Sequence, residues 1–433
     1  MTNSGIKRSI VAASMFCVLS GSTASAQPGA SSAELEALRR IVQDVIKQNE
    51  ELRKRVRELE DTMSKRGQAP EAATKPGDAT KDPATARATE PTPQVGKSAK
   101  DKIQLGGAIE VEVKKSRDFR GVHSSDLLLS TAEFDFEADI VDWAKAELSL
   151  QWIAPTNSFP ATPDDKITVN EAMITFAKPS VLPFYLKTGR GVVPFGISTG
   201  TTVAARLDES LTITGPLTLE IFEAKEDHVL VGYKDHGFNV AAYVYNGDTN
   251  NGVREKHLEH YGFAIGYGHK GETLSFDVGI GWIDSVFDTD GLSTAFPELV
   301  LAPKKGYTPG IATYVRAGLF GFSFIGEYDS AVREAKFTRG GQQLRTQPEA
   351  WQVELGYTTT LFGLRPFAAF NYSKSYQMFA AFPKRRTLYT VGSWLSENIR
   401  VALEYNNEQD YNKAHRGTNR DSDTATLRLT YEW

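Results

Sequence analysis

Acidic side chains recur at every second position in two stretches of this chain. Glu110 and Glu112 lie in the first, and Glu133, Asp135, Glu137 and Asp139 in the second. A spacing of two places side chains on one face of a strand. Like charges gathered on neighbouring strands repel unless water or opposite charge offsets them. Lys114, Lys145 and, near the C-terminus, Arg428 are the cations placed to do so. Arg190, Arg316, Arg365 and Arg400 fall singly on other expected strands, too scattered for an anion ladder. Such a group can hold strands together as an internal charge network, or it can sort charged solutes. The network is the reading that the residues favour.

Nothing in the chain spells catalysis. There is no nucleophile elbow, no HExxH and no phosphate-binding glycine loop. Gly266-Tyr267-Gly268 lies in an expected strand and opens no helix. Asp288-Thr289-Asp290-Gly291 looks like the start of a calcium loop but lacks the later ligands, so it is expected to be a turn. The chain is therefore read as non-enzymatic, without a cofactor or a metal.

The elements that position these charges are strands. From Ile103 onward the apolar period is two. Sixteen strands are predicted, at 103–114, 128–140, 143–152, 168–177, 184–190, 227–234, 238–245, 261–267, 274–282, 311–319, 322–328, 351–357, 365–373, 387–394, 399–405 and 424–433. Connections after even-numbered strands are tight, as at Val141-Asp142, Lys270-Gly271 and Phe320-Gly321; those after odd-numbered strands are mostly long. The last strand sets Ala425, Leu427, Leu429, Tyr431 and Trp433 against Thr424, Thr426, Arg428, Thr430 and Glu432. Trp143, Trp152, Trp282, Trp351 and Trp433 sit near predicted strand ends, where interfacial girdles belong. The pattern predicts an all-β fold, a 16-stranded antiparallel transmembrane β-barrel over 103–433 in a bacterial outer membrane, in contact with its lipid. Sixteen strands enclose an aqueous lumen. Closure sets the last strand beside the first, so Arg428 should face the acidic group.

The segment 191–226 is the expected constriction. It is apolar enough to fold against the wall, and it carries Arg206, Asp208, Glu209 and Glu220, where charge would set selectivity.

The first hundred residues read differently. Lys7 and Arg8, the apolar stretch from Ile10 and Ala24-Ser25-Ala26 make residues 1–26 a signal peptide. Residues 27–63 form a coiled-coil oligomerisation segment: Leu35, Val42, Asn49, Val56 and Met63 alternate with Leu38, Val45, Leu52 and Leu59 at heptad spacing. Ile41 and Ile46 broaden the seam toward three strands, so a homotrimer through 34–63 is expected, against the simpler reading of one amphipathic helix lying on the barrel. Residues 64–102 are a Pro/Ala/Thr-rich linker that cannot bury a core. An even strand number puts this segment in the periplasm. Cys17 is the only cysteine, so no disulfide framework follows. Net charge is -5, and residues 101–433 carry 33 Lys/Arg against 42 Asp/Glu, which speaks against a nucleic-acid partner.

Several stretches resemble a known family. They are Val169 to Phe176, Tyr185 to Gly196 with its G-R-x-x-V-P-F-G run, Gly215 to Glu220, and Val244 to Thr249. Over roughly 103–433 the chain resembles the siderophore-porin family typified by the legiobactin receptor. The likeness implies a porin-like receptor that passes a ferric siderophore without a plug domain. Phosphate-selective porins are more distantly similar, but their dense Arg/Lys ladder has no counterpart here. Two other readings stand beside it: a general or ion-selective diffusion porin for small hydrophilic solutes, and a tether whose N-terminal segment holds a periplasmic or peptidoglycan partner.

Overall fold

The computed structural model describes residues 102–154, 166–197, 210–250, 258–271, 273–303 and 306–433. The expected signal peptide, coiled coil and linker, and Arg206, lie outside them. Eighteen strands are present among the described residues. They are β1 (Ile103–Arg117), β2 (His123–Val141), β3 (Ala144–Ile153), β4 (Ile167–Ala177), β5 (Phe184–Val192), β6 (Lys225–Asp235), β7 (Phe238–Tyr245), β8 (His260–Lys270) and β9 (Leu274–Ile283) in the first half. The second half holds β10 (Gly310–Leu319), β11 (Phe322–Ala331), β12 (Ala335–Arg339), β13 (Gln342–Thr346), β14 (Glu349–Thr358), β15 (Arg365–Tyr376), β16 (Arg385–Trp394), β17 (Ile399–Gln409) and β18 (Asp421–Glu432). Sixteen close into one antiparallel barrel, with β18 between β17 and β1. β12 and β13 form a separate hairpin within the connection from β11 to β14. Closure leaves no unpaired edge, which matters where no water can satisfy backbone groups.

Alternation decides what faces where. Ile109 and Val113 of β1 are exposed on the outer wall, while Glu110 and Glu112 between them are buried inside. Leu427, Leu429 and Tyr431 of β18 are exposed outward in the same way. At the end with tight turns, aromatic pairs circle the outer wall: Trp143–Phe176, Phe184–Tyr233, Phe238–Tyr267, Phe322–Tyr357 and Tyr431–Trp433, with centroids 4.6–5.9 Å apart. Such amphipathic rings suit a membrane boundary.

The other end carries the long connections, and described parts of those after β5, β9, β11 and β15 pack inside the barrel. Among the described residues they hold three short α-helices: α1 (Leu217–Phe222), α2 (Asp290–Ala295) and α3 (Pro297–Leu301). Their side chains build a dry core within the barrel, including Val193, Phe195, Leu217, Phe222, Leu292 and Phe296. Phe296, Phe337 and Phe379, from three different connections, meet edge to face with centroids 5.6–6.4 Å apart. The hairpin is held by Arg339, which bonds Glu298 and the Ala295 carbonyl and lies over the rings of Phe296 and Phe337.

Candidate functional site: the lumen and its constricting loop

The connection from β5 to β6 crosses the lumen. In the ring order, β15 lies eight strands from β5 in either direction, so it is the opposite wall. The Leu217 N–H reaches it, donating to Ser373 Oγ of β15 at 3.4 Å.

Inward carboxylates hold the loop there. Glu404 of β17 accepts from the N–H groups of Ile213 and Thr214 at 2.6 and 2.9 Å, and from Thr390 Oγ1 at 2.7 Å. Glu354 of β14 accepts from Leu211 N–H at 3.0 Å and from Ser210 Oγ at 2.7 Å. Glu327 of β11 accepts from Ile197 N–H and Thr218 Oγ1, both at 2.6 Å, and from Gln352 Nε2 at 2.9 Å. Charge-assisted bonds of this kind are stronger than neutral ones. Two arginines take the loop's acceptors. Arg386 of β16 donates to the Gly215 carbonyl and pairs with Glu220 of α1 and Glu408 of β17. Arg400 of β17 donates to the Leu211 carbonyl at 2.6 Å and lies over the rings of Phe367 and Trp394. Burial pushes the Glu220 carboxyl above its usual range, and Arg386 pulls against that shift.

Under the loop is a cavity of about 240 Å³, bounded by Thr212, Thr214 and Glu220 of the loop and by Glu110, Glu327 and Arg428 of the wall. Three of the loop's nearby backbone donors are spent on Glu354 and Glu404. Arg428 is spent on carboxylates too. Its Nη1 lies 3.0 Å from Glu110 Oε1, and its Nε 2.6 Å from Glu112 Oε1. Carboxylates outnumber guanidiniums along this border, Glu110, Glu220 and Glu327 against Arg428, with Glu110 paired to Arg428 and Glu220 to Arg386.

The acidic group of the first two strands is spread, not pooled. Glu112 also binds Lys114 at 2.5 Å, Glu133 accepts from Gln151 Nε2 at 2.7 Å, and Lys145 bridges Glu137 and Glu147 at 2.7 and 2.8 Å. Asp135 faces the lumen half-buried, opposite Ser149. Arg316 faces it too and is paired with Asp277 of β9. Arg190 does not. It shares a face with Phe184 and Leu186 and pairs at 3.4 Å with Asp227 on the outer wall, so its expected lumen place is corrected by strand parity. Arg386, Glu327, Glu354 and Glu404 are site residues that the sequence did not single out. The last three have lumen parity, but their partners are backbone groups that no sequence pattern reveals.

Known proteins share this architecture. The outer-membrane channel DcaP of Acinetobacter baumannii aligns with a TM-score of 0.51 at 13% identity, over 78% of this chain and 100% of that one. Salmonella typhi OmpF aligns with a TM-score of 0.51 at 12% identity, over 76% and 97%. The anion-selective porin from Comamonas acidovorans gives 0.50 at 12%, over 76% and 99%. The fold is that of the outer-membrane porins. In sequence, a UPF0422 protein of Coxiella burnetii is 25% identical over 338 residues, covering 73% of this chain and 67% of that protein. No family model matches the chain.

Proposed function

We propose that this protein is a plugless outer-membrane channel for small hydrophilic solutes, with a preference for cations at its constriction. The observation that carries the reading is the β5–β6 loop, fixed to the opposite wall over a small carboxylate-lined cavity. Charged groups at a narrow point in a low-dielectric surround set which ions pass. The tight turns then face the periplasm and the long loops the exterior. A homotrimer assembled through 34–63 fits the heptad in the sequence. Reversal potentials across a salt gradient test the reading: a cation-selective conductance supports it, and an anion-selective one rejects the selectivity.

A second reading comes from the resemblance to the legiobactin-receptor-like porins, in which the solute is a ferric siderophore. The G-R-x-x-V-P-F-G run, the most specific part of that resemblance, supports it. Here the run spans the end of β5 and the start of the loop, and its Val193 and Phe195 are buried in the loop core. This reading predicts siderophore-dependent iron uptake in cells that have no other receptor. No change in uptake on deletion would reject it.

A further inference from the structure

A second polar cluster lies apart from the constriction, where the connections after β7 and β9 meet. His260, the first residue of β8, is 2% exposed. Its Nε2 lies 2.7 Å from the Thr249 carbonyl, which can only accept, so Nε2 carries a proton. Its Nδ1 lies 3.3 Å from Oδ2 of both Asp284 and Asp288, at ion-pair distance without hydrogen-bond geometry, and ionised carboxylates only accept. Both ring nitrogens thus face acceptors, the arrangement of an imidazolium.

The surroundings are built around that charge. The Tyr245 hydroxyl of β7 lies 3.2 and 3.1 Å from Asp284 and Asp288 and shares its one proton between them. Thr249 N–H donates to Asp288 at 2.5 Å, and Tyr261 N–H to Asp284 at 3.1 Å. Tyr307, before β10, lies over the imidazole at 4.4 Å and turns its hydroxyl to Glu259. Burial raises the Asp288 carboxyl, and His260 opposes that shift. A neutral imidazole here would leave a lone pair against two buried carboxylates.

The cluster also touches the constriction loop. The residue after Asp288 is Thr289, whose Oγ1 donates to the Ile221 carbonyl of α1 at 2.9 Å. Asp290 N–H donates to the Glu223 carbonyl at 2.8 Å. A contiguous path therefore runs from His260 through Asp288 and Thr289 to the helix whose Glu220 borders the cavity.

We propose that His260 is a proton-operated clamp: charged, it ties the connections after β7 and β9 together and steadies α1, and on losing its proton it frees them. Its effect on conduction rests on the channel reading above; its effect on the loops does not. The test is hydrogen exchange of the full-length protein in detergent between about pH 6 and pH 9, with rates corrected for intrinsic chemistry. Protection in 284–295 and 217–223 should fall on the order of tenfold as pH rises and the attraction between the imidazolium and its two carboxylates is lost. His260→Gln, which keeps a donor but cannot charge, should show the loosened state at every pH. Asp288→Asn provides a second variant should His260→Gln fail to fold, and it should blunt the pH response. Equal protection in wild type across the range would overturn the clamp, as would a stoichiometric metal found at His260. In bilayers, the same pH step should make the wild-type conductance noisier and leave that of His260→Gln unchanged. Loss of conductance altogether, with the exchange response intact, would count against the channel reading and leave the clamp standing.

Discussion

Arg428 of β18 binds Glu110 and Glu112 of β1 at once, so the pair of strands that closes the barrel is joined by a buried ion triad. Glu110 and Glu112 are almost fully buried, and Arg428 nearly so. Removing one partner of such a group strands the others, at a cost of about 3–5 kcal/mol. Arg428→Glu should therefore lower the temperature at which the barrel loses its compact migration on a gel. Arg428→Gln combined with Glu110→Gln should recover part of the loss. Unchanged heat-modifiability in Arg428→Glu would contradict this account of closure.

The loop latch predicts a different outcome. Glu404→Gln keeps the shape but turns one of two acceptors into a donor facing the N–H of either Ile213 or Thr214. Leaving a buried donor unmatched costs about 1–3 kcal/mol. That loss should detach the loop locally without unfolding the barrel. Noisier and larger single-channel conductance at unchanged heat stability is the expected result, and Glu354→Gln should act in the same direction.

Gly291 packs directly on the constriction helix. A Cβ there would come within 2.3 Å of the Glu220 carbonyl and 2.7 Å of Ile221 Cα, both backbone atoms that cannot move aside cheaply. Gly291→Ala should push α2 from α1 and reproduce the looser loop of Glu404→Gln. Hydrogen exchange at 217–223 would read this directly.

Acid should loosen the β12–β13 hairpin. The Arg339 guanidinium holds the Glu298 carboxyl below its usual range. A depressed carboxyl contributes stability at neutral pH that is lost as pH falls through its folded value. The hairpin should thus gain protease sensitivity only in the acid range below the ordinary glutamate value. Arg339→Ala should show that sensitivity at neutral pH.

Much of this was readable from alternation alone. β7 runs over the predicted residues 238–245, and all sixteen barrel strands were expected in order. Their loop-side ends were not. His123 to Asp126 of β2 and Asn407 to Gln409 of β17 are polar on both faces, because those ends project beyond the apolar belt, and no period marks them. The five-residue strands β12 and β13 are too short to show one. Arg428 meets the acidic group because closure fixes its neighbour. Arg190 lies on the outer wall, where its parity with Phe184 and Leu186 puts it. The sequence places Asp288 in a turn, and the turn is buried against His260, a residue 28 positions earlier. Parity says which wall a side chain faces, and nothing about which loop will come to meet it.

The central claim is a channel narrowed by a carboxylate-held loop, and reversal potential across a salt gradient in a planar bilayer tests it most directly. The account predicts cation selectivity in the wild type, weakened in Glu220→Gln and lost progressively at high salt as the carboxylates are screened. Anion selectivity, or a potential indifferent to Glu220, would contradict it.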